Sequence, residues 1–296
     1  MSEILLNAGT GEVEVVEFIV NNKHYAINVL KIKGIVTIDE VTPLPNATEE
    51  VAGLTNIRGD MDVVIDLSYA LHGKRTEDYK SNLGLLCEFN ETKVVFLVDQ
   101  VEGIRRISWN DIKQTNNVRQ DTMSIGSLMI DGTIIILLDF ESITIKAGIG
   151  NFYDGSGNTG SAIQRSQKIV LAEDSKAIRA MIKCVLEEAG YSNLKLFENG
   201  KEAKDYLFGI KEMHGHKFRQ EVDLVITDIE MPILDGYSLT RSIKEDSTLK
   251  ELPVIIFSSL ITEELQHKGE EIGADAQLSK PSMKELVKLV NMFFGN

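Results

Sequence analysis

The sequence predicts two domains, an all-β domain followed by an α/β domain with a parallel sheet. The chain has 296 residues, which is enough for about two domains of ordinary size. Its first half consists of short runs rich in Val, Ile, Phe and Tyr, whereas its second half alternates apolar runs with helical patterns. Between them, residues 148–162 contain five glycines with Ser, Asn and Thr, a composition typical of a flexible linker.

The first half is predicted to form a β-sandwich or barrel, because its strand-like runs are short and closely spaced. These runs cover residues 12–20, 24–29, 33–38, 62–67, 83–89 and 93–99. Asp131 and Gly132 indicate a further hairpin, since they suit the two positive-φ positions of a tight turn. The sequence of this half contains no nucleophile motif and no Gly-rich phosphate loop.

The second half is predicted to form five strand–helix units with a parallel sheet covered on both faces. The strand-like runs cover residues 168–173, 193–197, 223–228, 252–259 and 276–280. Helices are expected at 175–189, 200–212, 236–246 and 262–272, followed by a final helix that begins with Ser282 and Glu285 at capping-box spacing. In such sheets the functional crevice lies at the carboxyl ends of the strands.

The composition excludes several classes of protein. The formal charge is −14, from 31 Lys+Arg against 45 Asp+Glu, which argues against a nucleic-acid partner. No apolar run approaches the roughly 20 residues of a membrane helix, and the first residues lack the pattern of a secretory signal. Cys87 and Cys184 lie in apolar stretches, so we expect two buried free thiols in a reducing cytosol.

Functional side chains collect at the predicted strand ends. Glu173 and Asp174 follow the first strand of the second half, Asp228 the third, Ser258 the fourth and Lys280 the fifth. If the sheet has flavodoxin-like strand order 2-1-3-4-5, these ends converge. Two carboxylates about 4 Å apart repel by about 4 kcal/mol at an effective dielectric of about 20, so the cluster needs a divalent cation, a cationic neighbour or proton uptake.

This set of residues suits the transfer of a phosphoryl group onto Asp228. Mg²⁺ and Lys280 would offset the developing charge, and Ser258 would donate a hydrogen bond to a phosphoryl oxygen. A single acid at a strand end is usually a solvated residue or a helix N-cap. The coincidence of four strand ends favours a functional site.

Residues 166–295 resemble a response-regulator receiver domain, through KIVLAEDS, DLVITDIEMPILDG, VIIFSS and LSKP in that order. The resemblance implies that Asp228 is the phospho-acceptor and that Glu173 and Asp174 belong to the Mg²⁺ shell. It also implies a metal ligand from the backbone carbonyl of Glu230, a switch hydroxyl from Ser258 and a phosphoryl partner in Lys280.

Two residues depart from the usual receiver pattern. Most receivers carry an aromatic residue three positions before the lysine, and its rotamer follows the switch hydroxyl. Gln277 stands there instead, which puts aromatic-coupled switching in doubt. Glu230, two residues after the acceptor, could order or repel the attacking water and so change the lifetime of the phosphoryl group.

Residues 12–146 resemble a CheW-type chemotaxis coupling domain, through VEFIVNNKHYAINVLKIKGIV, VAGLTNIRGDMDVVIDL and VVFLVDQVEGI. The family fold is a pair of SH3-like five-stranded barrels that bridges the cytoplasmic tips of chemoreceptors and the kinase CheA. By position, Ile32, Gly53 and Arg58 match residues implicated in those contacts. Gly34 replaces a glutamate of many relatives, and Ile32 could equally be a core residue.

Together the two halves resemble the CheV-type coupling family, with a coupling domain at 1–147, a linker at 148–165 and a receiver at 166–296. The resemblance implies a cytoplasmic scaffold associated with membrane chemoreceptor arrays and phosphorylated by CheA, without direct membrane insertion and without enzyme activity beyond its own phosphorylation and dephosphorylation.

Two alternatives remain at this stage. One is a phosphate sink, in which the receiver drains phosphate from CheA and its conformation signals nothing. The other is a Mg²⁺-dependent phosphatase, but such enzymes carry the nucleophile in a D-x-D motif on the first strand. Here that strand ends in Glu173 and Asp174, and the candidate nucleophile follows the third.

Overall fold

The computed structural model describes residues 12–79, 82–89, 92–108, 111–113, 123–149, 164–259, 263–280 and 282–295. They divide into two compact units, one on each side of the glycine-rich segment. Most of the predicted linker, residues 150–163, lies outside the described residues. The domain boundaries set from the sequence therefore stay a prediction.

The first unit is built from ten strands, two short α-helices and one 3-10 turn (Val29–Lys31) among the residues described there. The strands are β1 (Glu12–Val20), β2 (Lys23–Asn28), β3 (Ile32–Thr37), β4 (Val51–Ile57), β5 (Asp60–Asp66), β6 (Leu83–Phe89), β7 (Thr92–Val98), β8 (Gln100–Ser108), β9 (Ser124–Ile130) and β10 (Thr133–Leu138). The helices are α1 (Leu67–His72) and α2 (Phe140–Lys146).

These strands form two five-stranded sheets, in the orders β8-β1-β2-β10-β9 and β3-β6-β7-β5-β4. In each sheet, a bridge joins the segment after one edge strand to the opposite edge strand. Thr42 pairs with Leu54 in this way, and Lys113 pairs with Ser127. The bridges curl each sheet towards a closed barrel, which confirms the predicted pair of small barrels.

The main hydrophobic core of this unit combines side chains from both sheets with α2. The ring centroids of Phe96 and Phe140 are 4.1 Å apart, and Phe18 meets Phe140 edge to face at 5.9 Å. Full burial of one such ring contributes about 1.5–3 kcal/mol. The predicted hairpin is confirmed, because Asp131 and Gly132 have φ of 49° and 80°.

The second unit is an α/β fold with one parallel sheet. Its strands are β11 (Arg165–Ala172), β12 (Tyr191–Phe197), β13 (Leu224–Thr227), β14 (Val254–Ser258) and β15 (Ala276–Ser279), in the order β12-β11-β13-β14-β15. Its helices are α3 (Lys176–Glu188), α4 (Gly200–His214), α5 (Gly236–Lys244), α6 (Glu263–Glu271) and α7 (Met283–Phe293). The order 2-1-3-4-5 confirms the predicted flavodoxin-like topology.

Two expectations were wrong. Cys87 is buried, and burial raises the pKa of its thiol, but Cys184 is exposed. Cys184 lies on the solvent face of α3, whereas the core contacts of that helix come from Ile178, Ile182 and Leu186.

Ser282 precedes α7 but makes no capping hydrogen bond with its side chain, so the expected capping box does not form.

Within the described parts of the chain, no helix has the length and apolar character needed to cross a bilayer.

Candidate functional site

The parallel register brings the predicted site residues to one edge of the second sheet. Ala172 pairs with Thr227 at the ends of β11 and β13, so Glu173 and Asp228 leave the sheet side by side. Strand β14 ends at Ser258, which pairs with Ser279 at the end of β15. Lys280 follows directly, and its N–H donates to the carbonyl of Ser258 at 3.0 Å.

The side chain of Lys280 lies between two carboxylates. Its Nζ is 2.7 Å from Glu173 Oε2 and 2.9 Å from Asp228 Oδ2. Carboxylate oxygens of Glu173, Asp174 and Asp228 all lie within 4.8 Å of one another. Lys280 is only 1% exposed. A lysine is rarely so buried unless it is paired, so this ammonium is held by its acidic neighbours.

Backbone donors hold two of the carboxylates in place. The N–H of Ile229 donates to Asp228 Oδ1 at 2.6 Å, and the N–H of Ser175 donates to Glu173 Oε1 at 3.2 Å. The N–H of Asp228 donates to the carbonyl of Ala172 at 2.9 Å, which ties the acceptor position to β11. The oxygens therefore have fixed directions, as a metal or phosphoryl site requires.

The donor set fits a hard divalent cation. When all three carboxylates are ionised, the single positive charge of Lys280 leaves two negative charges uncompensated. All the side-chain atoms that could bind a metal here are carboxylate oxygens. Mg²⁺ prefers oxygen ligands, needs only one or two carboxylates and keeps several waters. Asp174 is partly exposed, whereas Glu173 and Asp228 are buried, so solvent reaches the carboxylate cluster on the side of Asp174. Glu230 is 8% exposed, and a role for its carbonyl as a metal ligand stays a prediction.

The loop after Asp228 returns tightly against it. A Cβ on Gly236 would lie 1.9 Å from the carbonyl oxygen of Asp228, and the N–H of Gly236 donates to Ile229 O at 3.0 Å. Asp235 caps α5 by accepting from the N–H of Ser238 at 2.9 Å. Only glycine allows the helix to begin this close to the acceptor.

Gln277 is fixed against α6. Its Nε2 donates to the carbonyl of Gln266 at 2.7 Å. A Cβ on Gly269 would lie 2.3 Å from Gln277 Oε1, so the amide lies directly on the helix backbone. In this chain the position of the usual aromatic is therefore occupied by a side chain bonded to the neighbouring helix.

Arg179 also contacts this site, although the sequence did not indicate it. This residue of α3 is 8% exposed and directs its guanidinium at the site. Nη1 donates to the carbonyls of Glu173 and Asp174, at 2.6 and 3.2 Å, and Nη2 donates to Glu198 Oε1 at 2.7 Å. The available signal was a basic residue next to Ile178 on the buried face of a helix that follows the acidic strand end.

The structure does not bring the three candidate coupling residues together on one strand pair. Ile32 begins β3, whereas Gly53 lies in β4, at the opposite edge of the same sheet. Gly53 is buried with φ of 149°, and a Cβ there would lie 2.2 Å from the carbonyl oxygen of Thr42. Arg58 is exposed in the β4–β5 turn with φ of 55°. Ile32 is partly buried against the main core, and the roles of all three in partner contacts stay predictions.

Comparison with known proteins agrees with this architecture. The CheW-like domain family matches residues 14–147, and the response regulator receiver domain family matches residues 169–291. Chemotaxis protein CheV3 of Helicobacter pylori is 26% identical over 86% of this chain and 84% of its own length. Chemotaxis protein CheW of Thermotoga maritima is 32% identical over 47% of this chain and 94% of its own length.

The receiver domain of the Francisella response regulator 1452 is a solved structure similar to part of this chain. It is 33% identical, with a TM-score of 0.37, over 44% of this chain and 98% of that one.

A CheW-like domain followed by a receiver domain defines a class of two-domain signalling proteins. The chain has the CheV-type arrangement of a CheW-like domain joined to a response regulator receiver domain, and relatives that match most of its length are chemotaxis proteins named CheV.

Proposed function

We propose that this coupling protein accepts a phosphoryl group from the kinase CheA on Asp228, and that the phosphoryl group modulates coupling between chemoreceptors and the kinase. The observation that carries the proposal is the position of Lys280 Nζ, 2.7 Å from Glu173 and 2.9 Å from Asp228 at the converging strand ends. A buried ammonium beside a buried carboxylate can stabilise the charge of an incoming phosphoryl group.

The transfer is a displacement at phosphorus. A carboxylate oxygen of Asp228 forms the new O–P bond while the N–P bond of the kinase phosphohistidine breaks, and the electron pair of that bond stays on the histidine nitrogen. Lys280 and the hydroxyl of Ser258 would contact phosphoryl oxygens after the transfer.

Mg²⁺ would be held by Glu173, Asp174, Asp228 and the backbone carbonyl of Glu230. When bound, the metal would supply positive charge that offsets the three carboxylates as a phosphoryl group approaches. The residues of the chain itself orient the acceptor, because Asp228 Oδ1 is already fixed by the N–H of Ile229.

The N-terminal domain, proposed to span residues 1–147, would bind CheA and receptor tips through Ile32, Gly53 and Arg58. The guanidinium of Arg58 is exposed at a turn and suits a partner carboxylate. The linker at 148–165 would keep the receiver, residues 166–296, at high effective concentration near the coupling domain. We propose that the protein acts in the cytoplasm at receptor arrays, as a scaffold rather than an enzyme acting on other substrates.

Intact mass spectrometry tests the proposal. The full chain is incubated with CheA, ATP and Mg²⁺, and wild type is compared with Asp228→Ala. We expect a Mg²⁺-dependent gain of one phosphoryl group in wild type and none in Asp228→Ala. Asp205→Ala serves as the matched control, because Asp205 is an exposed acid on α4 that pairs with Lys201. An unmodified wild type in the presence of phosphorylated CheA contradicts the proposal.

One observation favours the phosphate sink as a second candidate. Gln277 is bonded to the carbonyl of Gln266, so it does not offer the mobile ring that would report a change at Ser258. A sink predicts that Asp228→Asn leaves receptor control of CheA activity unchanged while slowing the loss of phosphate from CheA. A coupling switch predicts a changed response of CheA to receptor ligand in the same variant.

A further inference from the structure

We infer that Arg179 is a positioning residue for the metal site, which holds the backbone of Glu173 and Asp174 so that both carboxylates face Asp228. The inference rests on the proposed function, since it concerns Mg²⁺ at that site. It extends the proposal to a residue of α3 that is not itself a ligand.

The guanidinium joins two successive carbonyls. Nη1 donates to Glu173 O at 2.6 Å and to Asp174 O at 3.2 Å. These carbonyls belong to the two residues whose side chains would bind the metal. Fixing both peptide groups restricts the backbone where β11 ends, so the directions of the two carboxylates are set before a cation arrives.

Arg179 is itself held from the other side. Its Nη2 donates to Glu198 Oε1 at 2.7 Å, and Glu198 follows the last residue of β12. The N–H of Glu173 also donates to the carbonyl of Phe197 at 3.1 Å. The ends of β11 and β12 are therefore joined twice, once through the backbone and once through the Arg179–Glu198 pair.

The residue type matters for this role. An arginine carries a rigid planar fork of donors and can bond three oxygens in fixed directions, whereas a lysine ammonium at the end of a flexible stem is a compact point charge. Groups that orient metal ligands typically change metal affinity about 10–100-fold when they are removed.

The test is a calorimetric titration of the full chain with Mg²⁺ alone. We expect Arg179→Ala to raise the Mg²⁺ dissociation constant about 10–100-fold. Glu198→Ala should also raise the Mg²⁺ dissociation constant, by a smaller factor. The side chain of Glu198 is 52% exposed, so this variant keeps the test valid if Arg179→Ala does not fold.

Arg219→Ala is the matched control. Arg219 also donates to two backbone carbonyls, those of Asp223 and Glu251, but both of these residues precede their strands at the opposite edge of the sheet. The Arg219→Ala variant should bind Mg²⁺ with the same dissociation constant as wild type. Arg179→Lys distinguishes geometry from charge, and we expect it to restore the affinity only in part.

A second readout uses acetyl phosphate as the phosphodonor at increasing Mg²⁺. Arg179→Ala should need more Mg²⁺ for half-maximal phosphorylation and approach the wild-type rate at saturation. A dissociation constant for Arg179→Ala equal to that of Arg219→Ala overturns the inference, and so does full restoration by Arg179→Lys. If wild type itself binds no Mg²⁺, the proposed function fails instead.

Discussion

At the scale of single residues, Gly236 sets how closely the acceptor loop can fold. Because a Cβ there would lie 1.9 Å from the carbonyl oxygen of Asp228, Gly236→Ala must displace the acceptor backbone. We expect a loss of about 1–3 kcal/mol in unfolding free energy. Phosphorylation should slow by up to about 100-fold, since a shift of about 1 Å misplaces the reacting oxygen. Urea unfolding and phosphorylation by acetyl phosphate measure the two effects.

Gly209 provides the control for this substitution. It lies inside α4, and a Cβ there would meet no atom within 4 Å. Gly209→Ala should therefore stabilise the protein by about 0.5–1 kcal/mol and leave phosphorylation unchanged. Equal effects at the two glycines would contradict the close contact at Asp228.

Ile233 is strained in the same loop, because this β-branched residue has φ of 69°. A left-handed backbone costs an ordinary residue about 1–2 kcal/mol, and asparagine tolerates it better. Ile233 is 40% exposed, so replacing it removes little buried apolar surface. Ile233→Asn should raise the unfolding free energy by about 1 kcal/mol, measured by urea unfolding. Ile233→Val keeps the β-branch and should show no gain.

Glu17 links the stability of the coupling domain to pH. Burial raises the pKa of Glu17, but hydrogen bonds and charge from Arg105 and His24 outweigh burial and lower the pKa overall. The folded state therefore binds fewer protons than the unfolded state near pH 4. The stabilisation is present above the unfolded pKa of about 4.3 and is lost as pH falls through the lower folded pKa.

The corresponding prediction concerns Glu17→Gln. We expect it to lower the unfolding free energy by about 1–3 kcal/mol at pH 7, because a charged hydrogen-bonded partner is lost. The difference from wild type should shrink as pH falls from about 4.3 through the lower folded pKa, because protonation of Glu17 then removes the stabilisation from wild type. Urea unfolding between pH 3 and 7 measures both curves, and a constant difference across this range contradicts the linkage.

At the scale of elements, the strands were easiest to predict from the sequence where both faces of the sheet are buried. The strands of the receiver are covered on both faces, so they appear as continuous apolar runs such as β13 and β14. Strands β4 and β8 were missed. β4 contains Gly53 at an irregularity in its pairing, and β8 is an edge strand with four charged or amide side chains, Gln100, Glu102, Arg105 and Arg106.

The short helices α1 and α2 were not predicted from the sequence, for a related reason. Each begins directly after a strand, at Asp66 and Asp139, whose side chains cap the first turn. A helix of six or seven residues has too few turns to show helical periodicity. The capping acids were the only local signal available.

The candidate site was predictable as far as topology determines it. Parallel strands place their carboxyl ends at one edge, so the order 2-1-3-4-5 is enough to gather Glu173, Asp228 and Lys280. Arg179 was not predictable in this way, because its contacts arise from a side chain that turns back onto backbone carbonyls. The one sequence signal, a basic residue on the buried face of α3, does not indicate which groups the guanidinium contacts.

The bond between Gln277 and α6 predicts how firmly this helix is held. Gln277→Ala removes the hydrogen bond to the carbonyl of Gln266 and leaves an unfilled space over Gly269. Amide hydrogen exchange should become faster in residues 266–273, while exchange in α3 stays unchanged. Gln100→Ala is the control, since its amide bonds only to Glu102 in the coupling domain. Unchanged exchange in 266–273 would show that Gln277 does not hold the helix.

At the scale of the whole molecule, each unit has a hydrophobic core of its own. The core of the first unit is centred on Phe18, Phe96 and Phe140, and that of the second on residues such as Leu207, Val225 and Leu239. A domain with its own core can unfold as a separate cooperative unit. Mg²⁺ binding to the receiver would then stabilise only that domain.

Differential scanning calorimetry of the full chain should therefore show two transitions, of which only one responds to Mg²⁺. At a free Mg²⁺ concentration 100 times its dissociation constant, the receiver should gain about 2.7 kcal/mol, and its transition should move to higher temperature. Asp174→Asn removes the negative charge of one proposed ligand, which is partly exposed, and should abolish most of this shift without moving the other transition. A single transition that moves as a whole with Mg²⁺ would show that the two domains unfold together. In that case a phosphoryl group on Asp228 could affect the coupling domain through their shared stability, with no need for a separate docking contact.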